Sequence, residues 1–165
     1  MEYVCKIKSP IGILTASSDG KNISGLWIKG QKYFLKTLGE NIQEENLPIF
    51  EKVQKWLDIY FSGKEPDFTL PLMPKGTLFQ KSIWNNLCKI PYGKTTTYGE
   101  LAKQFELENK GKQMSARPVG GAVGRNPISI LIPCHRVIGK NNSLTGYAGG
   151  IDVKIKLLQL EGISI

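Results

Sequence analysis

The segment TYGELAKQFELENKGKQMSARPVGGAVGRN, residues 97–126, contains the signals of two consecutive helices. Thr97 is followed three residues later by Glu100, which is the spacing of a reciprocal capping box at a helix N-terminus. The second helix is expected to begin after Ser115, a residue type favoured as N-cap, and Pro118 is tolerated in a first helical turn. Two short helices joined by a turn predict a helix-turn-helix.

The second of these helices has an unusual composition. Between Arg117 and Arg125 the sequence reads PVGGAVG, and Gly120 and Gly121 each cost about 1 kcal/mol relative to alanine in a helix interior. A helix made of such small residues indicates that another backbone approaches it closely. That backbone belongs either to a neighbouring element of the protein or to a nucleic acid, and the two flanking arginines favour the second interpretation.

The N-terminal part of the chain predicts a small antiparallel sheet. Three segments rich in β-branched and aromatic residues are separated by PIG and SDGKN, which carry the residues of tight turns. The segments are EYVCKIKS, residues 2–9, GILTASS, residues 12–18, and NISGLWIK, residues 22–29.

Two helices and a linker follow the sheet. Apolar residues at helical spacing over residues 46–61 predict a helix that packs on the sheet. The proline-rich residues 62–77 are expected to form an extended linker, and TLFQKSIWNNLCKI, residues 77–90, predicts another helix. We therefore expect a sheet-and-helix domain over residues 1–70 and a second domain over residues 71–165.

Composition limits the class of protein. The chain has 165 residues, 41% of them hydrophobic, which is enough to bury a core. The net charge of +8 suggests attraction to a polyanion or an acidic membrane surface, although many basic proteins bind neither. No apolar run approaches the roughly 20 residues that span a bilayer. Three cysteines without a repeated spacing favour a soluble protein of the reducing cytoplasm, and a single histidine argues against a metal site.

Chemistry is expected in ILIPCHRVIGK, residues 130–140, which predicts two short buried strands interrupted at Pro133. A cysteine becomes a nucleophile as its thiolate, and the only base of suitable type is the adjacent His135. Neighbouring side chains of extended backbone point to opposite faces, so either a turn brings Cys134 and His135 together or a water relays the proton. We favour the water, with Glu161 as the acidic candidate that orients the histidine.

A plainer interpretation stays open on the residues alone. Cys134 would then be an inert buried side chain and His135 a core residue with satisfied hydrogen bonds. Cys5 and Cys88 have no comparable neighbours, and we interpret them as core cysteines.

The segment IPCHRVI, preceded by VGGAVGRNPISIL and followed by GYAGGIDVKIKLLQLEG, closely resembles the active-site segment of the O6-alkylguanine-DNA alkyltransferases. These proteins are also called methylated-DNA:protein-cysteine methyltransferases. The resemblance extends from about Phe79 to Glu161. It implies a mixed α/β (α+β) fold, with a ribonuclease H-like N-terminal sheet and helix, then a helical domain with a winged-helix-like helix-turn-helix.

The resemblance implies irreversible, single-turnover DNA repair. Cys134 would accept the alkyl group from the O6 atom of a guanine flipped out of the duplex, and O4-alkylthymine is a further possible substrate. His135 would be the water-coupled base with Glu161 as its partner. Asn126 would brace the active-site turn, and Tyr98 would protonate the guanine as it leaves.

The resemblance also implies how DNA binds. Arg117 would fill the gap left in the base stack, and the second helix would enter the minor groove through a face built from Val119, Gly120 and Ala122. We expect double-stranded DNA as the partner of a monomeric protein without a cofactor. The expected DNA-binding residues are Ala116, Arg117, Val119, Gly120, Gly121, Ala122 and Arg125, and the expected base-pocket residues are Tyr147, Ala148, Gly149 and Lys154.

Departures and alternatives accompany this interpretation. Residues 106–117 form a longer segment than in compact members of the family, and Ala148 stands where several relatives have serine. The alternatives are a non-enzymatic alkyltransferase-like protein, a cysteine hydrolase, and a winged-helix DNA-binding protein. An intact PCHR sequence, residues 133–136, argues against the first of these.

Overall fold

The computed structural model describes all residues from Met1 to Ile165, which form two compact units. The first unit contains Met1–Lys75 and Pro127–Ser129, and the second contains Gly76–Asn126 and Ile130–Ile165. The chain thus divides after Lys75, whereas the sequence suggested a division after residue 70. No helix has the length and apolar character needed to cross a bilayer.

A four-stranded sheet forms the centre of the first unit. The three predicted strands are confirmed and make an antiparallel meander, and a short fourth strand, which the sequence did not predict, pairs in parallel with the first. The order across the sheet is β3-β2-β1-β4. The strands are β1 Glu2–Ser9, β2 Gly12–Ser18, β3 Ile23–Ile28 and β4 Ile42–Glu44.

One helix, α1 Pro48–Phe61, packs beside this sheet. Proline suits its first position because that amide would have no intrahelical partner. The helix buries one face made of apolar side chains spaced by three or four residues, as predicted. The buried side chains are Ile49, Phe50, Val53, Leu57 and Tyr60.

The second unit is mainly helical. Its two very short strands, separated by some forty residues in sequence, pair in parallel. The helices are α2 Leu78–Leu87, α3 Tyr98–Glu108, α4 Ala116–Gly124 and α5 Ile151–Leu160, and the strands are β5 Thr96–Thr97 and β6 Val137–Ile138.

Helix α2 supports α4 from inside this unit. Thr77 and Gln80 form a complete capping box at its start. The indole of Trp84, which is only 2% exposed, donates a hydrogen bond of 2.8 Å to the backbone carbonyl of Ala122. Helix α4 is therefore anchored from its buried side.

The two helix starts predicted within residues 97–126 are correctly placed, but their capping differs from the prediction. The side chain of Thr97 accepts a hydrogen bond of 3.1 Å from the amide of Glu100. The carboxylate of Glu100 accepts from the hydroxyl of Thr96 instead of completing the box. Ser115 occupies the N-cap position of α4, but its side chain accepts no capping hydrogen bond.

The segment 130–140 also differs from the prediction. Only Val137–Ile138 forms a strand, because Ile130 lies in the left-handed region with φ of 71° and Cys134–Arg136 forms a 3-10 turn. Successive side chains in such a turn are about 120° apart rather than on opposite faces. The geometric objection to placing Cys134 near His135 therefore does not apply.

The interpretation of the other two cysteines as core residues was wrong. Cys5 is only partly buried, and Cys88, the residue that ends α2, is exposed. The three cysteines are free thiols, and only Cys134 is buried.

Candidate active site

Cys134 lies at the start of the 3-10 turn and is 6% exposed. Asn126 braces this turn, since its Nδ2 donates a hydrogen bond of 2.8 Å to the carbonyl of Ile132 and its side chain also bonds Cys134. Burial raises the pKa of the Cys134 thiol, although the Asn126 bond and the nearby Lys154 charge oppose this effect. The resting group is a thiol, so its reaction requires a proton acceptor.

His135, the single histidine of the chain and the sequence neighbour of Cys134, is the candidate for that acceptor. Its Nε2 lies 2.6 Å from Oε2 of Glu161, and both side chains are completely buried. Burial lowers the pKa of His135 even though the Glu161 carboxylate opposes it, so the ring is neutral. Because an ionised carboxylate only accepts hydrogen bonds, Nε2 carries the proton and Nδ1 is the basic nitrogen.

Glu161 is held as an anion by three donors. Burial opposes its ionisation, but bonds from His135, from Nε of Arg136 at 2.8 Å and from the amide of Gly93 at 3.0 Å lower its pKa to about 2. Arg136 also donates to the carbonyl of Ile90 at 2.8 Å. The predicted pairing of His135 with Glu161 is present, and it is part of a larger buried network.

The sequence interpretation missed two members of this network, Arg136 and Gly93. A signal existed for the first, because an arginine inside an apolar run such as IPCHRVI must be buried and then requires a carboxylate partner. The backbone amide of Gly93 left no such signal, since its partner Glu161 lies 68 residues further along the chain.

Lys154 projects from α5 and is fully buried. Its ammonium donates to the carbonyls of Val137, Gly146 and Thr145, at 3.1 Å for Gly146 and 3.4 Å for Thr145. Burial lowers its pKa to about 8, although the nearby Cys134 opposes this effect. The lysine fixes the segment that leads into the predicted pocket, and its charge favours a thiolate at Cys134.

The expected pocket residues Tyr147, Ala148 and Gly149 are half-buried and follow the segment that Lys154 holds. The amide of Gly150 donates a hydrogen bond of 3.0 Å to the carbonyl of Tyr147, which closes these residues into a turn. Their backbone is thus fixed beside the buried lysine.

Tyr98 is the first residue of α3 and is partly buried. Its hydroxyl donates a hydrogen bond of 3.2 Å to the carbonyl of Thr145. Burial, and to a lesser degree Cys134, raises the pKa of Tyr98, so the phenol keeps its proton. Tyr98 and Lys154 bond the same carbonyl, which places the tyrosine at the same site.

The predicted outward face of α4 was partly wrong. Val119 is 0% exposed and Ala122 is 4% exposed, so neither side chain lies on the surface. With Val123 they follow the spacing i, i+3, i+4, which directs them toward the interior of the unit. The side of α4 that is open to solvent consists of Ala116, Arg117, Pro118, Gly121 and Arg125.

The glycines of α4 have different surroundings. Gly120 lies against the ring of Tyr98, where an added Cβ would meet the ring at 3.7 Å, an ordinary contact distance. At Gly121 and Gly124 an added Cβ would meet nothing within 4 Å. Packing within the chain therefore does not explain the last two glycines, which leaves room for a partner close to the helix backbone.

Sequence comparison identifies the family. Residues 78–163 match the family described as 6-O-methylguanine DNA methyltransferase, DNA binding domain, and residues 3–74 match the ribonuclease-like domain of the same proteins. The chain belongs to the 6-O-methylguanine DNA methyltransferase family. The resemblance inferred from IPCHRVI is thus confirmed.

Individual members of this methyltransferase family align over nearly the whole chain. The methylated-DNA--protein-cysteine methyltransferase of Methanosarcina acetivorans is 45% identical over 161 residues, which are 97% of this chain and 98% of that protein. The protein of the same name from Haemophilus influenzae is 44% identical over 98% of this chain and 87% of its own length.

Solved methyltransferase structures have the same fold. Mycobacterium tuberculosis OGT in complex with DNA superposes with a TM-score of 0.84 at 40% identity, over 96% of this chain and 92% of that chain. An O6-methylguanine DNA methyltransferase from Methanococcus jannaschii gives a TM-score of 0.64 at 26% identity, over 97% and 94% of the two chains. The mixed α/β fold expected from the sequence is confirmed.

Proposed function

We propose that this protein repairs DNA by transferring the alkyl group of O6-alkylguanine to Sγ of its own Cys134, once per molecule. The observation that carries the proposal is the buried hydrogen bond of 2.6 Å between Glu161 and His135, the residue that follows the cysteine. The family assignment supplies the reaction class, and this pair supplies the base that the buried thiol requires.

The proposed reaction begins with loss of the Cys134 proton. The proton passes through a water to Nδ1 of His135, and the resulting imidazolium is stabilised by Glu161. The thiolate attacks the alkyl carbon, so that the carbon–sulfur bond forms while the carbon–oxygen bond breaks. The electron pair of the broken bond remains on the guanine, which takes up a proton from Tyr98.

The product explains why each molecule acts once. A thioether at Cys134 is stable, and none of the neighbouring side chains described above can remove the alkyl group. The damaged base must also be extruded from the stack before it can react, at a cost of a few kcal/mol. We propose that Tyr147, Ala148 and Gly149 border the extruded base and that Lys154 holds this border in place.

We propose that α4 enters the minor groove, which is about 6 Å wide. The open space around Gly121 and Gly124 suits a close approach to DNA, and the exposed Arg117 is positioned on the same side to fill the vacated stack. A wedge in the minor groove fits low sequence specificity, as a protein that examines any sequence requires. One chain supplies all these groups, so we propose that the protein acts as a monomer.

The decisive experiment measures whether the protein itself becomes methylated, and at which residue. The protein is mixed with an excess of duplex containing O6-methylguanine, and the intact protein and its Cys134 peptide are weighed by mass spectrometry. We expect one methyl group per molecule, located on Cys134, together with restored guanine in the DNA. Repeated turnover would indicate a hydrolase instead, and an unmodified protein or methylation of another residue would also refute the proposal.

The role of Arg117 gives a separate prediction. An Arg117→Ala variant is expected to repair duplex DNA about 10-fold or more slowly, because the vacated stack then lacks the wedge that offsets extrusion. Transfer from free O6-methylguanine should change little, since a free base needs no extrusion. Single-turnover rates on both substrates measure this difference, and an equal loss on both would refute the wedge role.

A further inference from the structure

A long stretch of the chain, most of it in the second unit, contains no acidic residue. From Asn109 to Ile151 the sequence has neither Asp nor Glu. Six cations lie within this stretch, and of these only Arg136 is buried. The exposed cations are Lys110, Lys112, Arg117, Arg125 and Lys140.

Lys110 and Lys112 lie outside the site described above, in the turn that joins α3 to α4. The turn is fixed by its own hydrogen bonds, since the amide of Gly111 donates to the carbonyl of Glu106 and the amide of Met114 donates to the carboxylate of Glu106, each at 2.8 Å. The two lysines are therefore presented at the entry to α4 by an ordered turn.

The acidic residues next to this turn already form hydrogen bonds or an ion pair with other groups. One carboxylate oxygen of Glu106 accepts the Met114 amide. The carboxylate of Glu108 accepts from Asn86 at 2.8 Å and lies 3.6 Å from Nζ of Lys89, on the side of α2. Neither turn lysine forms an ion pair within the chain. The charge of both lysines is thus available to an external anion.

We propose that Lys110 and Lys112 form a second DNA contact, which binds backbone phosphates beside the groove that α4 enters. The inference rests on the proposed function for the identity of the partner. Phosphate contacts position a protein without reading sequence, and each one displaces a bound counterion from the DNA. The turn between α3 and α4 therefore enlarges the positively charged DNA-binding surface of the helix-turn-helix without affecting the choice of base.

The test uses the full-length protein and an unmodified duplex. Fluorescence anisotropy gives the affinity over a series of salt concentrations for the parent and for a Lys110→Gln/Lys112→Gln variant. Each phosphate contact contributes a slope of about −0.9 to the plot of log affinity against log salt. We expect the slope of the double variant to be shallower by about 2, and that of each single variant by about 1.

Two controls separate local contact from overall charge. A Lys52→Gln/Lys64→Gln variant loses the same charge from exposed positions in the first unit, and its slope should equal that of the parent. A Lys110→Arg/Lys112→Arg variant should keep the parent slope, because a phosphate contact needs only the cation. Thermal unfolding verifies that all variants fold alike.

The outcomes distinguish this inference from the proposed function. An unchanged slope in the Lys110→Gln/Lys112→Gln variant, or an equal change in the Lys52→Gln/Lys64→Gln control, refutes the second contact even if the parent methylates itself. A parent protein that binds duplex but accepts no methyl group refutes the repair function, while the slopes still decide whether the turn contacts DNA.

Discussion

A Cys134→Ser variant is expected to accept no methyl group from duplex containing O6-methylguanine, while it still binds that duplex. Serine has nearly the same size as cysteine, so the 3-10 turn and the DNA-binding side of α4 are preserved. A hydroxyl is far less acidic than a thiol, and the neutral His135 is too weak a base to ionise it in a buried site. Mass spectrometry of the protein and anisotropy with the duplex measure the two properties.

The other cysteines provide the matched control for this experiment. Cys88 is exposed and Cys5 is partly buried, and burial raises the pKa of both thiols. A Cys5→Ser/Cys88→Ser variant should take up one methyl group as the parent does. Methylation of the Cys134→Ser protein at another residue would contradict the assignment, and a combined loss of binding and transfer would indicate a structural cysteine.

A Glu161→Gln variant is expected to lose alkyl transfer by up to about ten-thousandfold, the loss known for changing the carboxylate behind a catalytic histidine to its amide. The amide can present its NH2 group to His135 or Arg136, both of which are donors in the native network. One buried donor then loses its acceptor, and the charge of Arg136 loses its partner. Single-turnover kinetics on modified duplex measure the loss.

The same variant should also be less stable, by about 3 kcal/mol, because removal of one partner of a buried ion pair leaves an uncompensated charge. Unfolding by urea at neutral pH measures this change. A Glu108→Gln variant is a suitable control, since its ion pair with Lys89 is exposed and such pairs contribute about 0–1 kcal/mol. Full activity in Glu161→Gln would show that the histidine needs no anionic partner.

The response of the parent protein to acid follows from the two pKa shifts in this network. The folded pKa of Glu161, about 2, lies below the ordinary value of 4.5, so its contribution is complete above pH 4.5 and is lost as pH falls toward 2. The contribution amounts to about 3 kcal/mol. The pKa of His135 is also lowered, from 6.5, and stability therefore begins to fall below that pH. Glu161→Gln lacks the first of these two losses.

Elements with a regular pattern were predictable. The strands over residues 2–28 are rich in β-branched and aromatic residues and are bounded by turn residues, and the helix α1 has a clear apolar stripe. Strand β4 has three exposed residues and therefore no pattern of burial to detect. This strand forms because its backbone pairs with β1, and that pairing cannot be inferred from the sequence of β4.

The site was predictable where a motif identified it. Residue reasoning singled out Cys134, His135 and Glu161 but left function and burial as open alternatives, and the family resemblance decided between them. The predicted orientation of α4 was wrong because it was inferred from the small size of the residues and not from the helical spacing of Val119, Ala122 and Val123. Helical phase, applied to this segment as it was to α1, would have separated buried from exposed positions.

The hydrogen bond between Trp84 and Ala122 has a consequence for the design of α4. A helix of nine residues with three glycines has little intrinsic stability in isolation. The indole bond and the buried valines hold this helix in place from its inner side. The fold of the helix therefore does not depend on its outer side. In a mutational scan we expect substitutions at Gly121 and Gly124 to leave folding intact but to weaken close contact with DNA.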